Sequence, residues 1–580
     1  MLFQPAAVGN GPAPVRSRFF TPFDLFAFAV VFGLLALFTQ STQEALVPIS
    51  DLDRTPITLD PSALPEYALR TTARMLAAII ASLIFTFLYG AIAAKSRRAE
   101  MVLIPILDIL QSVPVLGFLS FTVVFFMGLF PGQVLGVEFA AVFAIFTSQA
   151  WNMTFSFYQS LKTLPRDLEE VSSSFRLTGW QRFWRLEVPF SMPGLVWNTM
   201  MSMSGGWFFV VASEAITVGS TTITLPGIGA YVATAIDQKD LVAVGWSVVA
   251  MLVVILIYDQ LLFRPLVAWA EKFRFETSVG GPPPRSWVLD LIKRAHLFQF
   301  VIAPFGRALR GAARMPLALP VAVPRPVGVA WSSRAMDRIW SVLIAAAALY
   351  SVWLIVRFVA TEVGLSEVFH VLWLGFLTLL RVAVLIFIAS LIWVPIGVWI
   401  GLRPKVATAV QPLAQFLAAF PANIIFPFAV VAIVYFGLDP NIWLSPLMVL
   451  GTQWYILFNV IAGASAFPTD MREAAASFHI RGWHWWTKVI LPGVFPYYVT
   501  GALTASGGSW NASIVAEVAS WGDTTLRAEG LGAYIADATT AGDYPRITLG
   551  IAVMSLYVIA FNRTLWRPMF NFAARRLRLD

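Results

Sequence analysis

Cysteine is absent from the 580 residues and histidine occurs only four times. The first absence excludes a disulfide framework and any Cys-based metal site. His296, His370, His479 and His484 are scattered, and the spacing of the closest two, His479 and His484, faces them apart on a helix, so no metal site is expected. Charge is scarce as well. Asp, Glu, Lys and Arg make up 12% of the chain, against about 25% in an ordinary soluble domain, which removes soluble enzymes from consideration. No G-x-x-x-x-G-K-[S/T] run occurs, so the usual backbone cradle for ATP phosphates is missing. Nor do nucleophile, base and metal-ligand residue types converge in one segment, as a membrane-embedded enzyme would require.

What remains is apolar: 58% of the residues are hydrophobic and the mean hydropathy is +0.74. A bilayer core takes about 20 mostly apolar residues per helical span. Runs of that kind occur at 24–40, 72–94, 101–129, 135–157, 193–217 and 241–263, and again at 338–360, 372–402, 409–436, 441–463, 494–519 and 547–562. The expected fold is therefore an all-α polytopic membrane protein of about 12 transmembrane helices. The formal charge of +8 reflects topology rather than nucleic-acid binding, because the basic residues cluster between apolar runs, as cytoplasmic loops do. Arg16 and Arg18, Lys95 to Arg98, Lys162 to Arg185, Arg264 to Arg274 and Arg575 to Arg578 put both termini inside. No small-residue cleavage site follows Gln40, so the first run reads as a retained helix rather than a signal peptide.

Self-similarity organises these runs. Pro165, Asp167, Glu170, Phe175, Gly179, Trp180, Pro189, Pro193, Trp207, Glu214, Gly229, Tyr231 and Asp240 recur 303 positions later as Pro468, Asp470, Glu473, Phe478, Gly482, Trp483, Pro492, Pro496, Trp510, Glu517, Gly532, Tyr534 and Asp543. Earlier, Arg74, Gly90, Pro105 and Pro114 match Arg381, Gly397, Pro412 and Pro421 at an offset of 307. One register held across a loop, two helices and an outer turn means two copies of one six-helix unit. An even number of spans per unit makes the copies parallel, with a pathway between them. The expected division is a first half over 1–263, a linker over 264–336 and a second half over 337–580. The linker is rich in Pro, Gly and basic residues, including GGPPPR at 280–285. Its segment 287–315 reads either as an amphipathic helix on the inner leaflet or as a solvated basic linker.

The loop between the fourth and fifth helices reads LPRDLEEVSSSFRLTGWQRFWRLEVPFSMPG at 164–194 and FPTDMREAAASFHIRGWHWWTKVILPGVFP at 467–496. Asp167 and Asp470 suit the cap of a short helix, small residues after Glu170 and Glu473 allow another surface to approach, and Gly179 and Gly482 suit a turn that ends it. This pair of loops resembles the EAA loop of type I ATP-binding-cassette importer permeases. The resemblance carries over Glu473, Ala474, Ala475, Gly482 and Pro492 in the second half, and Glu170, Gly179 and Pro189 in the first. Val171 to Ser173 depart from Ala474 to Ala476, so the two loops need not be equivalent. Trp207 and Glu214 with Gly227 to Gly229, Trp510 and Glu517 with Gly530 to Gly532, and GTQWYILFNVIAG at 451–463 are similar to the nitrate, sulfonate, taurine and bicarbonate branch.

The resemblance implies a fused double permease in the bacterial inner membrane. It would have no cofactor of its own, two ATPase subunits or domains that hold ATP and Mg and dock on the loops, and a periplasmic binding protein that delivers a small solute, an anion in that branch. The alternative is a twelve-helix secondary transporter, which has no use for paired EAA loops. Arg74, Trp207, Glu214, Arg381, Trp510 and Glu517 are candidates for the pathway or its gate, since carboxylates inside a membrane are costly and mark function. Each Arg is either a hydrogen-bond donor to an oxyanion or one member of an Arg–Glu pair that ties the second helix to the fifth. The tryptophans are either an apolar constriction or packing residues.

Overall fold

The structure is a computed structural model and describes residues 57–112, 115–218, 221–273, 286–317, 330–465 and 467–576. The expected first span at 24–40, with Arg16 and Arg18, lies outside the described residues. The first half runs through α1 (Leu64–Lys95), α2 (Arg97–Ser112), α3 (Val115–Leu129), α4 (Val134–Lys162), the short α5 (Arg166–Ser174) and α6 (Gly179–Arg182), α7 (Val188–Ser213), a hairpin of β1 (Ala215–Val218) and β2 (Thr221–Thr224), α8 (Ile228–Asp237), α9 (Leu241–Tyr258) and α10 (Arg264–Ala270). The linker contributes α11 (Trp287–Arg294) and α12 (His296–Arg314).

The second half adds α13 (Ala330–Glu362) and then follows the same order, with two helices in place of α4: α14 (Leu365–Gly401), α15 (Pro404–Ala419), α16 (Phe426–Phe436), α17 (Ser445–Leu450), α18 (Trp454–Ser465), α19 (Thr469–Ser477), α20 (Gly482–Trp485), α21 (Leu491–Ala516), a hairpin of β3 (Val518–Trp521) and β4 (Thr524–Arg527), α22 (Leu531–Ala541), α23 (Tyr544–Phe561) and α24 (Arg567–Arg576). Even irregularities repeat. π-helical turns at Phe183–Glu187 and Trp486–Ile490 join α6 to α7 and α20 to α21, and those at Asp259–Phe263 and Asn562–Trp566 interrupt the last helix of each half. Such one-turn widenings concentrate at functional places.

Among the described residues, seven helices are long and apolar enough to cross a membrane, and the bent pair Pro440–Leu450 with Trp454–Ser465, at 43°, makes an eighth. The expectation of a single helix per apolar run fails at the fourth run of the second half, which is this bent pair, and at the third run of each half. There the chain forms two short helices, α2 with α3 and α15 with α16. In the second half the break falls on Phe420 and Pro421, followed by a 3₁₀ turn at Ala422–Ile425. Proline lacks the N–H that would continue the ladder and pushes its predecessor into extended backbone. The fifth run of the first half forms α7, which is as long as its twin α21 and, like it, carries Asn, Ser and Thr along its length.

These broken segments interlock the halves. The backbone N–H of Val115, at the start of α3, donates to Asn511 Oδ1 on α21 at 2.7 Å. Reciprocally, Asn423 Nδ2 after α15 donates to the Phe208 carbonyl on α7 at 3.3 Å. Val115, Leu116, Leu119 and Val123 are buried in the second half's core, while Phe420 and Ile424 are buried in the first half's. Trp197 stacks on Phe458 across the same divide at 5.3 Å.

Candidate functional site

At one end of the molecule the two loops form helices α5 and α19, each followed by a second short helix. The sequence expectation for their termini is corrected in two respects. Pro165 and Pro468, not Asp167 and Asp470, occupy the N-cap positions; the two aspartates sit in the first turn, where a carboxylate complements the helix dipole. The helices also end before the glycines. Phe175 and Phe478 are the C-caps, and Arg176 (φ 49°) and His479 (φ 53°) take the left-handed position that follows. Leu177 N–H bonds Ser172 O at 3.1 Å and Arg176 N–H bonds Ser173 O at 2.9 Å; Ile480 to Ala475 and His479 to Ala476 repeat both bonds. This is the doubled closure that satisfies orphan carbonyls at a helix end. Gly179 and Gly482 instead open α6 and α20. Thr178 caps α6 in a reciprocal capping box with Gln181, and Gly482 has φ +60°.

Glu170, Glu473 and Ala474 are exposed, Ala475 is buried like its counterpart Ser172, and Pro189 and Pro492 are half-buried at the second residue of α7 and α21. The largest outward features escaped the sequence reading as site residues: Phe175 is 75% exposed and Phe478 80%. Their signal was present, since both belong to the repeat and follow the small residues.

The loops are anchored differently. In the first half Arg182 bridges Glu169 and the buried Glu187, and Glu187 meets Lys95 at the end of α1 at 2.8 Å. These groups border a cavity of about 80 Å³ that Gly179 also lines. The repeat places Arg472, Trp485, Ile490 and Leu402 at the corresponding second-half positions, and Ile490 is fully buried. Charge therefore fixes the first loop where apolar packing fixes the second.

At the other end of α7 and α21, Glu214 and Glu517 cap their helices and are fully buried. Thr71 Oγ1 and Arg74 Nη1 each donate to Glu214 Oε1 at 2.7 Å, and the Gly229 N–H donates to Oε2 at 2.7 Å. Thr71 in turn accepts from the Ile228 N–H at 3.0 Å. The second half rebuilds this hub: Thr378 Oγ1 and Arg381 Nη1 donate to Glu517 Oε1 at 2.9 and 3.2 Å, Ala533 N–H to Oε2 at 3.1 Å, and Leu531 N–H to Thr378 at 2.9 Å. One carboxylate thus ties the second helix, the fifth helix and the helix after the hairpin, and a buried acceptor so fully satisfied is held in one geometry.

The glycines of the outer motif leave room for that carboxylate. A Cβ at Gly227 would lie 2.3 Å from Glu214 Cδ, and one at Gly530 2.2 Å from Glu517 Oε2. Gly227→Ala and Gly530→Ala are each expected to destabilise the protein by about 1–3 kcal/mol, the usual cost of overpacking. Thermal melting in detergent checks this; a wild-type melt would mean the glutamate can move.

The arginines differ. Arg74 is engaged through all three nitrogens, with Nε and Nη2 held bidentately by Glu138 at 2.7 and 2.6 Å and Nη1 shared between Glu214 and the Pro226 carbonyl. Arg381 uses Nη1 for Glu517 and the Glu529 carbonyl; among the described residues its Nε and Nη2 have no hydrogen-bond partner. Asn441 stands where the first half has Glu138 and accepts from the Glu529 N–H instead. Trp207 and Trp510 are fully buried, and Trp207 meets Tyr258 edge-on at 5.4 Å.

Residues 86–264 and 393–565 each match the family model described as the inner membrane component of binding-protein-dependent transport systems. Curated relatives include the bicarbonate transport system permease protein CmpB of Synechococcus elongatus, 32% identical over 167 residues, which are 29% of this chain and 56% of that protein. The nitrate import permease protein NrtB of Leptolyngbya laminosa is 27% identical over 203 residues, 35% of this chain and 67% of the relative. The glycine betaine/carnitine transport permease protein GbuB of Listeria monocytogenes is 26% identical over 197 residues, 33% and 63%. The chain thus spans little more than half the length of the bicarbonate permease.

Proposed function

Because the chain belongs to the family of binding-protein-dependent transport system inner membrane components, we propose that it supplies both membrane halves of an ATP-driven importer in one polypeptide. The division is 1–263, a cytoplasmic linker over 264–336, and 337–580. The observation that carries this reading is the pair of helices α5 and α19, built alike and each ending on an outward phenylalanine. Each loop receives one ATPase, which binds ATP and Mg; this chain hydrolyses nothing. A periplasmic binding protein delivers the solute to the opposite face, and both termini are cytoplasmic in a bacterial inner membrane. Membership of this family leaves no role for the ion-coupled carrier.

The solute is a small anion such as nitrate, bicarbonate, taurine or another sulfonate. The bicarbonate and nitrate relatives support this, as does the guanidinium edge of Arg381, whose planar donors match an oxyanion bidentately. Arg381 is the pathway contact, while Arg74, Glu214, Glu517 and the two buried tryptophans hold the gate's framework. Vesicles carrying the chain, its ATPase and its binding protein should hydrolyse ATP faster with one of these anions than without; equal hydrolysis with all of them would overturn the anion reading.

The topology has its own test, made simple by the absence of native cysteine. A thiol introduced as Met315→Cys, at an exposed linker position, is expected to react with a membrane-impermeant maleimide only in inside-out vesicles. Labelling from the periplasmic side of intact spheroplasts would overturn the orientation.

A further inference from the structure

Trp180 and Trp483 hold equivalent positions in α6 and α20, yet their surroundings differ. Trp483 is 76% exposed, whereas the Trp180 indole Nε1 donates to the Ala312 carbonyl at 2.7 Å and the neighbouring Gln181 Nε2 donates to the Arg314 carbonyl at 2.8 Å. Both acceptors belong to the last turn of α12; the Ala312 carbonyl also takes the Met315 N–H that closes the helix at 3.2 Å. At its other end the linker is fixed by Ser286, which caps α11, and by Trp287 Nε1, which donates to Gln260 Oε1 at 3.1 Å in the π-helical turn after α9. The linker thus stretches from the base of the last helix of the first half to the first coupling loop.

Helix α12 has two distinct faces. Ala303, Gly306, Arg310 and Ala313 recur at helical spacing and are half-buried, while Phe300, Val301 and Leu309 are 68%, 45% and 72% exposed, beside the exposed Arg307 and Arg314. Seven Lys or Arg and no Asp or Glu occur between residues 291 and 336. Large apolar groups beside Arg307 and Arg314 on a helix that carries no Asp or Glu match the boundary of an acidic bilayer, where apolar side chains sink below the headgroups and basic ones pair with them.

We propose that α12 lies on an anionic phospholipid surface and, through the bonds of Trp180 and Gln181 to its last turn, braces the first coupling loop against the bilayer while leaving the second unbraced. The proposal rests on these loops being the ATPase-coupling elements, but its test reads position and mobility and does not need transport.

The full chain, carrying either Phe300→Cys or Leu309→Cys labelled with bimane, is reconstituted in nanodiscs of phosphatidylcholine alone or with one third phosphatidylglycerol, each with brominated acyl chains as quencher. Phe478→Cys serves as the aqueous control. Labels at 300 and 309 should be quenched in the acidic discs and the control spared, and Arg307→Glu with Arg314→Glu should cut that quenching by about half or more, since each basic residue contributes substantially to binding an acidic surface. A spin label at Val171→Cys should be less mobile than one at Ala474→Cys, and Trp180→Phe should make the two alike. Absence of quenching in both lipids, equal quenching regardless of lipid charge, or shielding that arises only on adding the ATPase would each overturn the proposal. The last outcome would assign the face to a protein partner instead.

Discussion

Replacing Phe175 and Phe478 together by Asp is expected to abolish solute-stimulated ATP hydrolysis in the assembled transporter while leaving the membrane chain folded. Both rings stand outside the protein at the C-caps of α5 and α19, so their loss removes no internal packing. Each presents an apolar anchor of the type that dominates interface energetics when it fills a pocket on a partner. An aspartate placed there buries an unpaired charge, which can cost several kcal/mol and therefore a reduction of more than about a hundredfold in docking affinity.

The single substitutions should be unequal. The first loop is anchored by the Glu169–Arg182–Glu187–Lys95 chain and by the linker, so it has less freedom to repack around a damaged contact than the second, which rests on Ile490 and Trp485. Copurification of the ATPase with each variant, followed by hydrolysis assays, provides the measurement. Undiminished stimulation in the double variant would remove these rings from the coupling interface.

The sequence was informative wherever the two halves agree. The offsets of 303 and 307 bring out Arg74 with Glu214 and Arg381 with Glu517 as repeated charges in apolar surroundings, and these residues do meet. Repetition is blind where the halves differ. Glu138 faces an Asn in the other copy, and Lys95, Glu169, Arg182 and Glu187 face Leu, Arg, Trp and Ile; no self-comparison selects them, yet they fix Arg74 and the first loop. Local chemistry misled at the ends of α5 and α19. Glycine is the residue expected in a left-handed cap, but Arg176 and His479 take that conformation and the glycines begin the next helices. The hairpins went unseen because strands of four residues, such as Ala215–Val218 paired with Thr221–Thr224, are too short for an alternating pattern to stand out beside a helix end. The breaks in the third spans were hidden by apolar runs that continue through proline, since hydropathy carries no information about hydrogen-bond continuity.

Arg74→Ala should be the most damaging single change in the outer hubs, and Arg381→Ala markedly milder. The first strands two carboxylates, the fully buried Glu214 and the half-buried Glu138, and frees the Pro226 carbonyl. Breaking a buried pair by deleting one partner costs about 3–5 kcal/mol, enough to remove most of a marginally stable protein from the membrane. The second strands Glu517 alone and frees the Glu529 carbonyl; each glutamate keeps its threonine and a backbone N–H, so the difference is Glu138. Partial recovery of Arg74→Met by Glu214→Gln would show the cost to be the stranded charge. Conservative replacement separates holding from substrate contact. Arg74→Lys cannot reproduce the fork on Glu138 and should lower the melting temperature. Arg381→Lys can still reach Glu517 and should melt like the wild type, but it removes the planar Nε and Nη2 edge, so the KM for the transported anion should rise by about tenfold, equivalent to 1.4 kcal/mol. An unchanged KM in Arg381→Lys would reduce that arginine to a tie between α14 and α21. A rise in KM for Arg74→Lys without loss of stability would move the anion contact to the first half, although all three guanidinium nitrogens of Arg74 already hold protein acceptors.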